Sequence, residues 1–222
     1  MKKLYHYPLC PLSRQIRICL KELNVSFSMI KEDYWQRHGE FLKINPAGTL
    51  PVLEESSGFV VSGIYPVIEY LHEKYPTFNL MDEDIDVRAE IRRLLIWFNE
   101  KFYREVSKVL IDEKVVRLMM HLGGPRTDFL RVAKSNLGNH LNYINKLLEK
   151  RGFIASDTLS VADIAASAHL SVVDYFGEIN WDKWPQIREW YAILKSRPSF
   201  RPVLQDQIAG FVPPVNYSNL DF

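Results

Sequence analysis

Cys10-Pro11-Leu12-Ser13 places a thiol and a hydroxyl three residues apart, just after a short aromatic run and at the start of a helical pattern. A cysteine at a helix N-terminus meets unpaired N–H groups and the positive end of the helix dipole, and both favour thiolate over thiol. Arg14 and Arg17 are near enough in sequence to add to that field. Cys10 is therefore a candidate nucleophile, able to attack a disulfide and form a mixed disulfide while the other sulfur leaves as a thiol. Ser13 stands where a dithiol motif has its second cysteine, so a second small thiol would have to resolve that disulfide. The bland alternative is a small, partly buried residue in a helix-start loop. Cys19, the only other cysteine, lies nine residues on in the same loop–helix segment. The two are not expected to bridge, which is the usage of a reducing cytosol.

Two further stretches could carry chemistry or structure. In Asn45-Pro46-Ala47-Gly48-Thr49-Leu50-Pro51-Val52-Leu53 a proline immediately precedes a strand pattern. A cis bond there would turn the backbone groups of the preceding residue outward. Ser160-Val161-Ala162-Asp163 opens a helical pattern as a variant capping box, with the Asp163 carboxylate reaching back to the Ser160 N–H. Ser160 and Asp163 are expected to be structural, contributing about 1 kcal/mol as a cap. No Cys/His/Asp group has metal-ligand spacing.

The elements that must position these residues follow from periodicity. Strand signals at residues 3–7 and 25–30 flank a helix at 13–23, with Ile16, Leu20 and Leu23 at helical spacing. Residues 50–54 and 59–62 read as a hairpin around the turn at 55–58, followed by a helix at 66–75. The order βαβ then ββα predicts a thioredoxin-like α/β domain. Beyond residue 80 the patterns are helical: 86–120, 127–151 ended by Gly152, 160–176 and 185–196. The expected organisation is a thioredoxin-like domain over 1–78, a linker over 79–86, an all-α helical bundle over 87–204 and a tail over 205–222.

Charge and composition exclude several classes. With 28 basic against 27 acidic residues the net charge is +1, so nothing draws the chain to nucleic acid or an anionic membrane. No apolar run reaches the length of a membrane span, and the N-terminus lacks the apolar stretch of a secretory signal. A cytoplasmic protein without membrane insertion is the expectation.

The stretch Asn45 to Leu53, the Ser160–Asp163 cap after Ser156-Asp157, and Trp190-Tyr191 followed by Lys195-Ser196-Arg197-Pro198-Ser199-Phe200 resemble the signature pieces of cytosolic glutathione transferases, in order and spacing. The resemblance covers nearly the whole chain. It implies a homodimer, a glutathione site on the first domain using Leu50, Pro51 and Val52, and a hydrophobic co-substrate site between the domains. Cys10-Pro11 resembles the omega-class site, where the cysteine forms its mixed disulfide with glutathione. The family pattern at the third helix, Glu/Asp-Ser-x-Ala-Ile-x-x-Tyr-Leu, is departed from: this chain reads Gly63-Ile64-Tyr65-Pro66-Val67-Ile68-Glu69-Tyr70-Leu71. In the family the acid holds the γ-glutamyl ammonium and the serine its carboxylate. Gly63 and Ile64 supply neither contact, so no cofactor is required and glutathione binding is put in doubt.

A narrower resemblance runs through Lys101 to Val106, Asn136 to Tyr143, Ala168-His169-Leu170-Ser171, Asp174-Tyr175-Phe176-Gly177 and the ending Tyr217-Ser218-Asn219-Leu220-Asp221-Phe222. These are similar to an α-proteobacterial subgroup of glutathione transferase-like cell-division proteins that bind the FtsZ polymer. Phe211, Tyr217, Leu220 and Phe222 in a tail need something to pack on, either a partner or the chain's own domain. Tyr217, Leu220, Asp221 and Phe222 are the partner-binding candidates. Two readings stand: a dimeric binding module acting in cell division through FtsZ, concentrated at the division site, or a glutathione-dependent transferase or thioltransferase using Cys10. Whether the chain is an enzyme is left open by the residues alone.

Overall fold

The computed structural model describes residues 1–77 and 79–220. Strand β1 (Lys2–His6), helix α1 (Pro11–Glu22) and strand β2 (Phe27–Lys31) form the expected βαβ unit, with β1 and β2 parallel. Strands β3 (Val52–Glu54) and β4 (Val60–Ser62) pair antiparallel around the turn at 55–58, where Gly58 takes a positive φ of 88°. The sheet order is β2-β1-β3-β4. Leu4 sits opposite both Met29 and Leu53, and Leu4 and Leu53 are fully buried, because a period of two sends alternate side chains to the core face. Helix α2 (Gly39–Ile44) fills the connection between β2 and β3. Only Phe41 of its six residues is buried, too little periodicity to mark a helix in sequence.

Helix α3 (Ile64–Lys74) follows β4 directly, starting two residues before the proline that was expected to open it. Helix α4 (Ile85–Ile96) is capped by Asp84, whose carboxylate accepts from the Asp86 and Val87 N–H groups at 2.8 and 3.1 Å. It runs on through a π-helical stretch (Trp97–Ser107), α5 (Lys108–Ile111), a second π-helical stretch (Asp112–Val116) and α6 (Arg117–Met119). One helical rod thus covers 85–119, as the periodicity predicts, with a winding it does not predict. Helix α7 (Thr127–Leu148) stops at Glu149. Gly152 is not its C′ residue; its N–H donates instead to Asp157 Oδ1 at 3.0 Å.

Helix α8 (Val161–Tyr175) is buried on every side. Ala162, Ala165, Ala166 and Ala168 let neighbouring elements approach closely, and a helix covered on every side belongs at the centre of its domain. Helices α9 (Pro185–Ser196) and α10 (Arg201–Leu204) complete the bundle. The predicted cap at α8 holds more than its own helix. Asp163 Oδ2 accepts from the Ser160 N–H at 2.9 Å and from the Ser160 hydroxyl at 2.8 Å. Its Oδ1 accepts from the Ile154 N–H at 2.9 Å and from Trp190 Nε1–H at 3.1 Å. One buried carboxylate therefore ties the 149–160 connection, α8 and α9 together.

Helix α1 lies against α8, so the first domain meets the second through the helix that begins at Cys10. Arg197 grips Glu22 with two bonds of 2.7 and 2.8 Å, and Ser199 donates to the same carboxylate. The Val161 N–H donates to the Leu80 carbonyl at 2.9 Å, joining the 75–84 connection to the start of α8.

Candidate functional site

Cys10 is the N-cap of α1, with Pro11 in the first turn, so the helix opens two residues before the start at residue 13 that the periodicity predicts. Its thiol is only 4 % exposed. Burial pushes the thiol pKa above its ordinary value and outweighs the opposing hydrogen bonds from Ser13 and Leu12 and the charge of Arg14. Cys10 is therefore held as a thiol at neutral pH, against the expectation of a thiolate at a helix start. Ser13 is fully buried one turn into the helix. Cys19, also free and buried, is likewise pushed up by desolvation.

The arginines expected to support that thiolate are committed elsewhere. Arg14 is wholly buried; its Nε–H donates to the Pro8 carbonyl at 2.7 Å and Nη1–H to Ser171 Oγ of α8 at 2.8 Å, while Nη2 lies 3.4 Å from Asp206. Arg17 holds the two oxygens of the same Asp206 carboxylate at 2.6 and 3.0 Å. Both cations pair with one acid at the root of the tail. This is a correction to the role read for them from proximity in sequence.

The Leu50-Pro51 bond is cis, and Val52 opens β3 opposite Ser62. The Gly63 N–H donates to the Pro51 carbonyl at 3.0 Å, so the structure brings the 50–52 turn and the start of α3 into contact. Gly63 is the N-cap of α3 at φ 90° and makes no side-chain cap. Its position is set by backbone rather than space: an added Cβ would lie 3.6 Å from Pro66, ordinary contact, but at a φ that other residues rarely adopt. Ile64 is buried and apolar. Pro66, third in the helix, has no N–H, leaving Ile64 and Tyr65 as the backbone donors of this first turn. The Tyr65 hydroxyl lies 3.5 Å from Glu100, so a carboxylate stands near the same corner. The acid and the serine that the family pattern places here have no side-chain counterpart at Gly63 and Ile64, which leaves backbone N–H groups as the donors at the start of α3.

The tail folds back on its own domain. Tyr217 is 1 % exposed, packs edge-on to Tyr175 at 5.2 Å and donates to the Val203 carbonyl at 3.3 Å. Expected as a partner contact, it is instead an internal anchor, because an aromatic ring that can reach apolar surface on its own domain is buried there first. Leu220 is half-buried against the core. Asp221 and Phe222 lie outside the described residues. Among its described large apolar side chains the tail exposes Val212 and Val215, at 95 and 92 %. Sequence reasoning missed this pair; the doublet Pro213-Pro214 between them, which keeps the segment extended, is the signal that could have found it.

His169, in the Ala168–Ser171 stretch, is buried in the bundle between Ser107 Oγ at 2.9 Å and Asn99 Oδ1 at 3.2 Å. Both partners lie on the π-helical stretch. Among the described residues no group of His, Cys, Asp and Glu could hold a metal ion, and no helix is long and apolar enough to cross a membrane.

Residues 4–79 match the family described as glutathione S-transferase, N-terminal domain, and residues 87–192 match glutathione S-transferase, C-terminal domain. The chain is 40% identical over 224 residues to the FtsZ-localized protein A of Caulobacter vibrioides, covering 100% of this chain and 98% of that one. It is 30% identical over 205 residues to glutathione S-transferase D7 of Drosophila melanogaster, covering 90% and 85%. Among solved structures, a glutathione S-transferase from Rhodospirillum rubrum superposes with a TM-score of 0.97 at 41% identity, covering 100% of both chains. FzlA from C. crescentus does so with a TM-score of 0.96 at 40% identity, covering 100% and 99%. The thioredoxin-like first domain, the helical second domain and these matches across both place the chain in the glutathione S-transferase family.

Proposed function

We propose that this chain is a glutathione S-transferase-like binding module that acts in bacterial cell division through FtsZ filaments, working as a cytoplasmic homodimer concentrated at the division site. The observation that carries the reading is the start of α3, where Gly63, Ile64 and Pro66 stand in the place of the family's glutathione-gripping residues. Hydrogen bonds to charged groups are worth about 1.5–3 kcal/mol each, so losing two of them weakens glutathione by orders of magnitude. Full-length likeness to an FtsZ-localized protein supports FtsZ as the partner. Val212, Val215 and Leu220 form the partner-facing part of the described tail in this reading, and Asp221 and Phe222 stay candidates by sequence.

The second reading, a thioltransferase using Cys10 as nucleophile, is disfavoured by the buried, protonated thiol and by the diversion of Arg14 and Arg17 to Asp206. One paired measurement separates the two. Co-sedimentation with polymerised FtsZ of the same organism should pellet the protein, while calorimetry with glutathione should show no saturation at millimolar ligand. Saturation by glutathione together with no pelleting would reverse the assignment.

A further inference from the structure

The tail and the turn after α8 fit one another residue by residue. Tyr175, at the end of α8, accepts from the Ile208 N–H at 3.1 Å and donates to the Phe211 carbonyl at 3.3 Å. Phe176 meets the Phe211 ring edge-on at 6.1 Å. Gly177 takes φ 69°, and a Cβ there would stand 3.1 Å from Pro214 Cγ. Lys195, fully buried, donates to the Asn216 carbonyl at 3.1 Å. At its root the strap is held by Asp206, clamped by Arg14 and Arg17 of α1. A tail needed only for its apolar side chains has no use for a buried lysine and two arginines from another domain.

We propose that residues 205–217 are a preorganised strap, and that its seat on Tyr175, Gly177, Lys195 and the Arg14–Arg17 pair sets how tightly the tail engages FtsZ. This rests on the reading that the tail faces FtsZ. The physical reason is entropy: a loose segment must be ordered on binding and loses affinity for it, whereas a segment already held presents Val212 and Val215 in their binding geometry. The helix that begins after Cys10 thus uses its two arginines to anchor the strap.

The test uses the full-length protein, FtsZ polymerised from the same organism, and two kinds of variant. Gly177→Ala and Lys195→Met attack the seat from below, and Pro214→Gly loosens the strap itself without touching the core, so it serves if Lys195→Met fails to fold. Val212→Asp with Val215→Asp changes only exposed side chains. Seat variants should speed hydrogen exchange at the Phe211 and Tyr217 amides about tenfold or more, local opening being what such exchange reads. They should also weaken co-sedimentation by about tenfold, the order expected when ordering is shifted onto the binding step. The valine pair should weaken co-sedimentation with tail exchange unchanged. Seat variants that loosen the tail yet pellet like the parent overturn the strap proposal and leave the tail-facing reading intact. Seat variants that leave exchange unchanged overturn the assignment of the seat. Normal pelleting of the valine double variant removes Val212 and Val215 from the FtsZ-facing surface and overturns the strap proposal with them.

Discussion

Gly177 and Pro214 lie so close that a Cβ on the glycine would stand 3.1 Å from the proline ring. Nothing in the spacing of the two residues, 37 positions apart, announces the contact. It shows that the Asp174–Gly177 turn is cut to receive the tail. Asp174 itself accepts from Trp181 Nε1–H at 2.9 Å and sits 3.9 Å from Lys195, so the same turn also meets the lysine that holds the strap.

Replacing Asp163 should unsettle the second domain. Asp163→Ala removes a cap worth about 1 kcal/mol and leaves the Ile154 N–H and Trp190 Nε1–H without their acceptor, at about 1–3 kcal/mol each. The total loss is on the order of 3 kcal/mol or more, read as a lower urea midpoint with the slope unchanged. A midpoint within error of the parent would remove the carboxylate from the account of stability.

Stability should fall as the solution is acidified below pH 6.5. Burial holds His169 down to about 3 and His6 down to about 4, so both stay neutral in the fold while the unfolded chain protonates them. The unfolded state then binds more protons, and stability is lost between pH 6.5 and those lower values, by about 1.4 kcal/mol per pH unit for each such group. Asp174 works the other way. Burial raises it to about 6, so the folded state takes up a proton between pH 6 and the ordinary carboxylate range and regains some stability. His140, also lowered by burial, adds to the loss and Asp163, also raised by burial, to the gain. Glu90, held down to about 2 by its hydrogen bond to Arg93, adds a further loss below the ordinary carboxylate range, so the balance is a net loss. Urea titrations at pH 7, 6, 5 and 4 measure it; a flat or rising profile contradicts the neutral histidines.

Neither thiol should react readily in the folded protein. Cys10 and Cys19 are buried with raised pKa values, and only the thiolate is nucleophilic, so labelling by an aromatic disulfide at pH 7.5 should be at least about tenfold slower than in denaturant. Rapid labelling of one native thiol, absent in Cys10→Ser, would return Cys10 to the list of nucleophiles.

The proposed dimer has a specific surface to test. Tyr65, Ile68, Leu95 and Ile96 line an apolar groove between α3 and α4, crossed by the Arg92–Glu69 pair at 3.0 and 3.2 Å. Ile96 is 57 % exposed in the single chain, so Ile96→Glu costs little within the protomer but puts an unpaired charge into the proposed interface. Light scattering should show the parent as a dimer and Ile96→Glu shifted to monomer at micromolar concentration. A variant that stays dimeric places the interface elsewhere.

Much of the fold is legible in the residues. Alternation at 3–7 and 50–62 gives the sheet, Pro11 and Ser160–Asp163 mark helix starts, and Gly63-Ile64 shows that the family's ligand grip has changed, since missing functional groups are visible in any list of residues. The weakly patterned α2, the π-helical winding after Ile96 and the true end of α7 before Gly152 are not legible, because each is chosen by packing rather than by local preference. The site was half legible. Cys10 was found by its place in the chain, but its protonation depends on what surrounds it.

Sequence alone determined the family of the fold, the chemistry available at residue 10 and the loss of chemistry at residues 63 and 64. Only the tertiary structure decided where charges and the tail go. Arg14 and Arg17 lie beside Cys10 in the chain, yet they neutralise Asp206, almost two hundred residues away, because a buried guanidinium needs a buried acid. Tyr217 turns inward and Val212 and Val215 stay outside for the complementary reason: Tyr175, Gly177 and Lys195 offer the tail one seat, and only the side chains that fit it are covered.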